Sequence, residues 1–200
     1  MRILGISGSF RRDSHNTRLL RAAALTLPPG AELELFDGLG ALPLYCEDGD
    51  THPVPETVER LRGQIAAADA LLIATPEYNA SIPGVLKNAI DWASRPFPDN
   101  ALRGKPVAVI GASTGLFGAV WAQSELRKVL NHTGADVLEA ELPVGLASQA
   151  FTPTGELADP ELQRRLVELT GALAREAAGN VTRTDDRVEP RDRTPALRAV

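Results

Sequence analysis

Three short runs in this chain are apolar without interruption: Ile3-Leu4-Gly5-Ile6, Leu71-Leu72-Ile73-Ala74 and Pro106-Val107-Ala108-Val109-Ile110. A strand with no polar position has no face to give to water. Each run must therefore be covered on both sides, which is the situation of a central strand in a parallel sheet. Two further strand-like segments, Glu32 to Phe36 and Val137 to Leu142, alternate instead. They carry Glu32, Glu34, Glu139 and Glu141, which suit partly exposed edges. Between these segments apolar residues recur at helical spacing. Leu19, Leu20, Ala23, Ala24 and Leu27 follow a cap at Asp13 or Ser14, and Val54, Val58, Leu61, Ile65 and Ala68 mark a second helix. Val85, Leu86, Ala89, Ile90 and Ala93, then Ala119, Ala122, Leu126, Val129 and Leu130, mark two more, and Leu162, Leu166, Leu169, Leu173 and Ala177 a last long one.

Strict alternation of strands and helices implies a parallel sheet with right-handed crossovers. With the alternating strands outside and the apolar ones inside, the strand order is 2-1-3-4-5. The expected fold is thus flavodoxin-like α/β, a five-stranded parallel sheet with helices on both faces. At 200 residues and 44% hydrophobic content, one domain is the natural size, and it is expected over residues 1–178. From residue 179 the composition changes. Residues 180–200 hold nine charged side chains and no aromatic one, so a disordered C-terminal tail is expected over 179–200.

The net charge of −5 argues against a nucleic-acid partner, whose phosphates call for a basic face. One cysteine, Cys46, excludes an internal disulfide framework and suits a reducing cytoplasm. The three histidines, His15, His52 and His132, have no metal-ligand spacing. The N-terminal residues turn polar too early for an export signal, and no apolar run approaches a membrane span.

In the expected strand order the loops after strands one, three and four converge at the carboxyl edge of the sheet, where open α/β sheets bind ligands. The first loop, Ser7 to Thr17, is small and polar and runs into a helix N-terminus, whose free N–H groups attract anions. Ser9, Ser14, Asn16 and Thr17 can donate hydrogen bonds there, and Arg11 can add a charge-assisted one. This loop has neither the Gly-x4-Gly-Lys-Ser/Thr nor the Gly-x-Gly-x-x-Gly pattern. The second loop, Thr75-Pro76-Glu77-Tyr78-Asn79-Ala80-Ser81, offers groups that bond to or stack on a flat heterocycle. The third, Gly111 to Gly118, includes Ser113, Thr114 and Gly115 and is small enough to wrap a ring edge. Phosphate at the first loop and a ring between the other two would match a mononucleotide such as FMN. No nucleophile, acid–base pair or metal site stands out, so an enzyme built this way needs an organic cofactor for its chemistry.

Gly8-Ser9-Phe10-Arg11 with Ser14-His15-Asn16 resembles the GSLRxxSxN phosphate loop of the NADPH-dependent FMN reductase family, which includes quinone, chromate and azo-dye reductases. The segment from Thr75 to Trp92 is very similar to that family's TPEYNxSxPGxLKNAIDW motif. The resemblance implies that Ser9, Arg11, Ser14 and Asn16 hold the FMN phosphate. It also implies that Pro76, Glu77, Tyr78 and Asn79 border the isoalloxazine, with Ser113, Thr114 and Gly115 on its other side. NADPH or NADH would be the reductant, a small quinone-like, azo or metal-oxyanion molecule the acceptor, and the assembly a homodimer or homotetramer. Trp92 and Trp121 would serve either the interface or the core. The chain departs from the family at Phe10, at Ala80 and in Phe117-Gly118-Ala119-Val120, which lacks the usual arginine. A flavodoxin-like electron carrier and a non-catalytic flavin-binding interaction module are the alternative expectations.

Overall fold

The computed structural model describes residues 1–51 and 53–185. In chain order the elements are β1 (Arg2–Ser7), α1 (His15–Ala24), β2 (Glu32–Leu35), α2 (Glu56–Ala67), β3 (Ala70–Thr75), α3 (Gly84–Ala93), β4 (Pro106–Ala112), α4 (Val120–His132), β5 (Asp136–Val144) and α5 (Pro160–Asp185). The strands form one parallel sheet of order β2-β1-β3-β4-β5, as the strand composition predicts.

Every residue of β3 and β4 is buried, whereas β2 alternates between exposed and half-buried positions. Two apolar clusters divide the sheet's faces. One gathers Leu4, Ile6, Leu71, Ile73, Val107 and Val109 with the inner stripes of α2, α3 and α4. The other gathers Ile3, Leu72, Ala108 and Ile110 with those of α1 and α5. Burying one such leucine or isoleucine side chain contributes on the order of 1.5–3 kcal/mol, so the sheet centre anchors the fold.

Local details differ from the sequence expectation in three places. Ala22, not Ala24, lies on the buried side of α1, because the turn that carries Leu19 and Asn16 sets the helix phase. The β4–β5 register shifts between Val107 and Val109, a bulge that bends the edge strand. Helix α5 continues to Asp185, past the boundary expected at 179; the remainder of the expected tail, residues 186–200, lies outside the described residues, as does His52. Trp92 is a core residue, 1% exposed, with its Nε1 donating to Pro43 O at 2.8 Å.

Among the described residues no helix is long and apolar enough to cross a membrane, and no group of three His, Cys, Asp or Glu side chains is placed to hold a metal ion.

Candidate active site at the carboxyl edge

The strand register brings the three loops together. Ser7 pairs with Ala74, and Thr75 with Gly111, so β1, β3 and β4 end side by side. Gly8 then folds tightly over the end of β3. Its N–H donates to Ala74 O at 2.8 Å, and a Cβ there would lie 3.0 Å from Leu86 and 3.1 Å from Pro76. Any larger residue would have to push those two side chains aside by a few tenths of an ångström.

In the first loop, counting donors separates the residues expected to hold phosphate into two groups. Asn16 is 3% exposed and committed mainly to the fold: its Nδ2 donates to Ala112 O at 3.0 Å, and its Oδ1 accepts from Ala112 N at 2.9 Å. It ties α1 to the end of β4 with its oxygen and one of its two amide N–H groups, and the second N–H is left over. Thr17 is engaged too, its hydroxyl donating to Ser7 Oγ at 2.9 Å while Ser7 donates to Ser9 O at 3.0 Å. By contrast, Ser14 caps α1 by accepting from Thr17 N at 3.3 Å, and Ser9 Oγ accepts from Arg11 N at 3.4 Å. Both hydroxyl hydrogens stay available. Arg11 is exposed and uses one N–H on Asp13 O at 2.6 Å, keeping the others for a ligand. The backbone N–H groups of His15 and Asn16, in the first turn of α1, have no acceptor among the described residues. His15 adds a buried Nδ1 without a partner, and burial, then Arg11 and Arg18, pushes its pKa below the ordinary imidazole value. A cluster of outward donors with an orphaned nitrogen fits a phosphate.

The second loop doubles back. Tyr78 and Ser81 exchange backbone bonds of 3.0 and 3.1 Å, and Asn79 and Ala80 at the apex have φ of 53° and 58°. Positive φ at both central residues is the signature of a tight hairpin turn that asparagine tolerates and alanine does not favour. The turn holds Tyr78 and Asn79 out at the rim, both exposed, while Pro76 is buried beneath it. Glu77, expected at the ring border, also reaches a second element. Its carboxylate is turned toward α4, with Oε2 accepting from Trp121 N and Ala122 N at 3.1 Å each. The cap residue of α4, Ala119, has a left-handed backbone and no side-chain hydrogen bond to offer, so Glu77 supplies the missing acceptor from another loop.

In the third loop Ser113 Oγ accepts from Gly115 N at 3.1 Å, leaving Thr114 and Gly115 exposed. A fourth segment, after β5, was not singled out in the sequence. Leu146 N donates to Gly115 O at 2.9 Å, and Ala147 N to Ser113 O at 3.0 Å. A Cβ on Gly145 would sit 2.3 Å from Leu116 O, which makes that glycine obligatory. Phe151, farther along, lies under the Arg18 guanidinium at 4.6 Å and so joins this segment to α1. The sequence signal was the glycine at the carboxyl end of the last strand.

A separate cleft of about 1200 Å³ lies between α3 and α4, with Lys87, Asp91, Arg95 and Lys128 on its walls.

The family model described as NADPH-dependent FMN reductase matches residues 1–149. The chain belongs to that family. An NAD(P)H-dependent FMN reductase of Pseudomonas aeruginosa is 47% identical over 174 residues, covering 86% of this chain and 93% of the relative. A quinone reductase of Escherichia coli K12 is 39% identical over 176 residues, covering 86% and 92%. Among solved structures, the flavoenzyme NAD(P)H:(acceptor) oxidoreductase FerB of Paracoccus denitrificans superposes with a TM-score of 0.79 at 35% identity, covering 89% of this chain and 97% of that one. The chain is therefore a flavin-dependent oxidoreductase of the flavodoxin-like fold, with FMN as its redox group and NAD(P)H as the reductant.

Proposed function

We propose that the carboxyl edge is the active site of an NAD(P)H-dependent FMN reductase that delivers electrons to a small quinone-like acceptor. The observation that carries this reading is the unengaged donor set at the α1 N-terminus, facing the same edge as two ring-sized loops. Ser9, Ser14, Arg11, the second N–H of Asn16 and the first amides of α1 would hold the phosphate, and Thr17 would support them by fixing the loop's shape. Pro76, Glu77, Tyr78 and Asn79 would border one edge of the ring system, with Ser113, Thr114 and Gly115 along another. When bound, FMN supplies the hydride acceptor and donor that the polypeptide lacks. The chain's own part is to grip the phosphate, present the ring at the rim and leave one side open for reductant and acceptor in turn.

The relatives are named as reductases, which favours an enzyme over an electron carrier or a non-catalytic binding module. A single cysteine is in keeping with a reducing cytoplasm. The α3–α4 cleft, with its mixture of opposite charges, is the surface we assign to a second copy of the chain in a homodimer or homotetramer.

Purified protein titrated with FMN should bind it at one site per chain and then oxidise NADPH in the presence of a quinone. A colourless protein that takes up no FMN would refute the reading.

A further inference from the structure

Resting on that reading, we propose that Phe117 and Trp121 set the acceptor class, favouring neutral planar rings, while Glu77 turns inorganic oxyanions away from the same rim. Phe117 and Trp121 are 63% and 50% exposed although both are large and apolar. Their rings meet edge to face at 5.1 Å, an arrangement that holds both upright and leaves ring surface free. Leu116 and Leu146, 74% and 50% exposed, extend the apolar surface, since Leu146 is bonded to Gly115 beside them. The carboxylate that holds the Trp121 backbone belongs to the residue before Tyr78, so the second and third loops present their aromatic residues from adjoining points of the rim.

The charges point the same way. Residues 75–81, 113–121 and 145–151 contain no lysine, arginine or histidine, and Glu77 is their one charged side chain. The α4 N-terminus, which would otherwise attract an anion, already holds the Glu77 carboxylate on two of its amides. Arg18, a cation of α1, stacks over Phe151; beside Trp121 an oxyanion would meet a like charge and an engaged helix end. A neutral quinone meets stacking surface instead. The overall reaction balances as quinone + NAD(P)H + H⁺ giving hydroquinone + NAD(P)⁺: the reductant supplies a hydride, and two electrons and two protons reach the quinone oxygens.

The test uses FMN-loaded wild type, Phe117→Ala, Trp121→Ala and Glu77→Gln, with NADPH as reductant and either a neutral naphthoquinone or chromate as acceptor. Each ring deletion should lower the ratio of quinone to chromate kcat/KM about tenfold, mainly through the quinone KM. Glu77→Gln, which keeps an oxygen acceptor for α4, should raise chromate kcat/KM several-fold. Binding to the oxidised enzyme without NADPH gives a second readout. Calorimetry should show naphthoquinone affinity falling about tenfold in the ring variants, and molybdate binding appearing only in Glu77→Gln. A quinone-to-chromate ratio unchanged within twofold would overturn the proposal. So would ring variants that dissociate the assembly while keeping that ratio, since the two rings would then belong to a subunit contact. Failure of the flavin reading is recognised separately, as absent FMN uptake in the wild type.

Discussion

Among the helix N-termini at the carboxyl edge, those of α1 and α4 are finished in opposite ways. At α1 the cap is local: Ser14 takes one amide, and the remaining donors point outward. At α4 the cap is remote: a carboxylate 44 residues away in sequence occupies two amides, and the helix end is closed to anions. Both helices carry the same partial positive charge, so helix geometry alone does not mark the phosphate site. What distinguishes them is whether the protein has already supplied the negative partner. Under the proposed function, the nucleotide would lie with its phosphate toward α1 and its reacting ring toward α4.

The largest effect is expected at the joint between the two regions. Asn16→Ala would strand the N–H and C=O of Ala112 in a buried strand end and leave α1 untied from β4. It should lower stability by about 3 kcal/mol, read as a shift in denaturation midpoint, and loosen FMN binding as well. A variant of wild-type stability would break the comparison, because the open helix end would then not depend on that clamp. Arg11→Ala should weaken FMN by about tenfold in a binding titration while leaving the melting temperature of the apoprotein unchanged. Glu77→Ala should cost about 1 kcal/mol, as remote caps of this kind do, and should make stability newly sensitive to added sulfate, which would refill the vacated amides. Unchanged sulfate dependence would mean that α4 is not the closed counterpart of α1.

The smallest effect sharpens the contrast through pH. His15 titrates below the ordinary value because burial, then Arg11 and Arg18, disfavour its charged form. The unfolded chain then binds the proton more readily, so stability is fully retained above about pH 6.5 and declines as pH falls below it. Melting curves of the apoprotein between pH 5 and 8 should show that decline, and His15→Asn should flatten it. Bound phosphate would favour the imidazolium, so FMN should shrink the decline in the wild type.

Much of this arrangement was legible in the sequence because it depends on local pattern. The uninterrupted run Leu71–Ala74 could be read as a central strand, and Glu32 and Glu34 as edge markers, since each reports its own exposure. Ser14 was readable as a cap because capping bonds reach three residues ahead. Asn16 and Glu77 were not readable in the same way. Their polar groups are committed to backbone atoms 96 and 44 residues distant, and a polar residue in a loop looks the same whether it faces a ligand or a strand end. Gly145 was missed for the same reason, because the Leu116 carbonyl it accommodates comes from another loop.

The two tryptophans also make the molecule its own optical instrument. Trp92, sealed in the core and hydrogen-bonded to Pro43, should emit in the blue and change only when the chain unfolds. Trp121, half in water at the rim, should emit farther to the red and lose intensity to a nearby yellow chromophore. Recording both bands in one titration would follow loading of the pocket and integrity of the core at once, with no attached label.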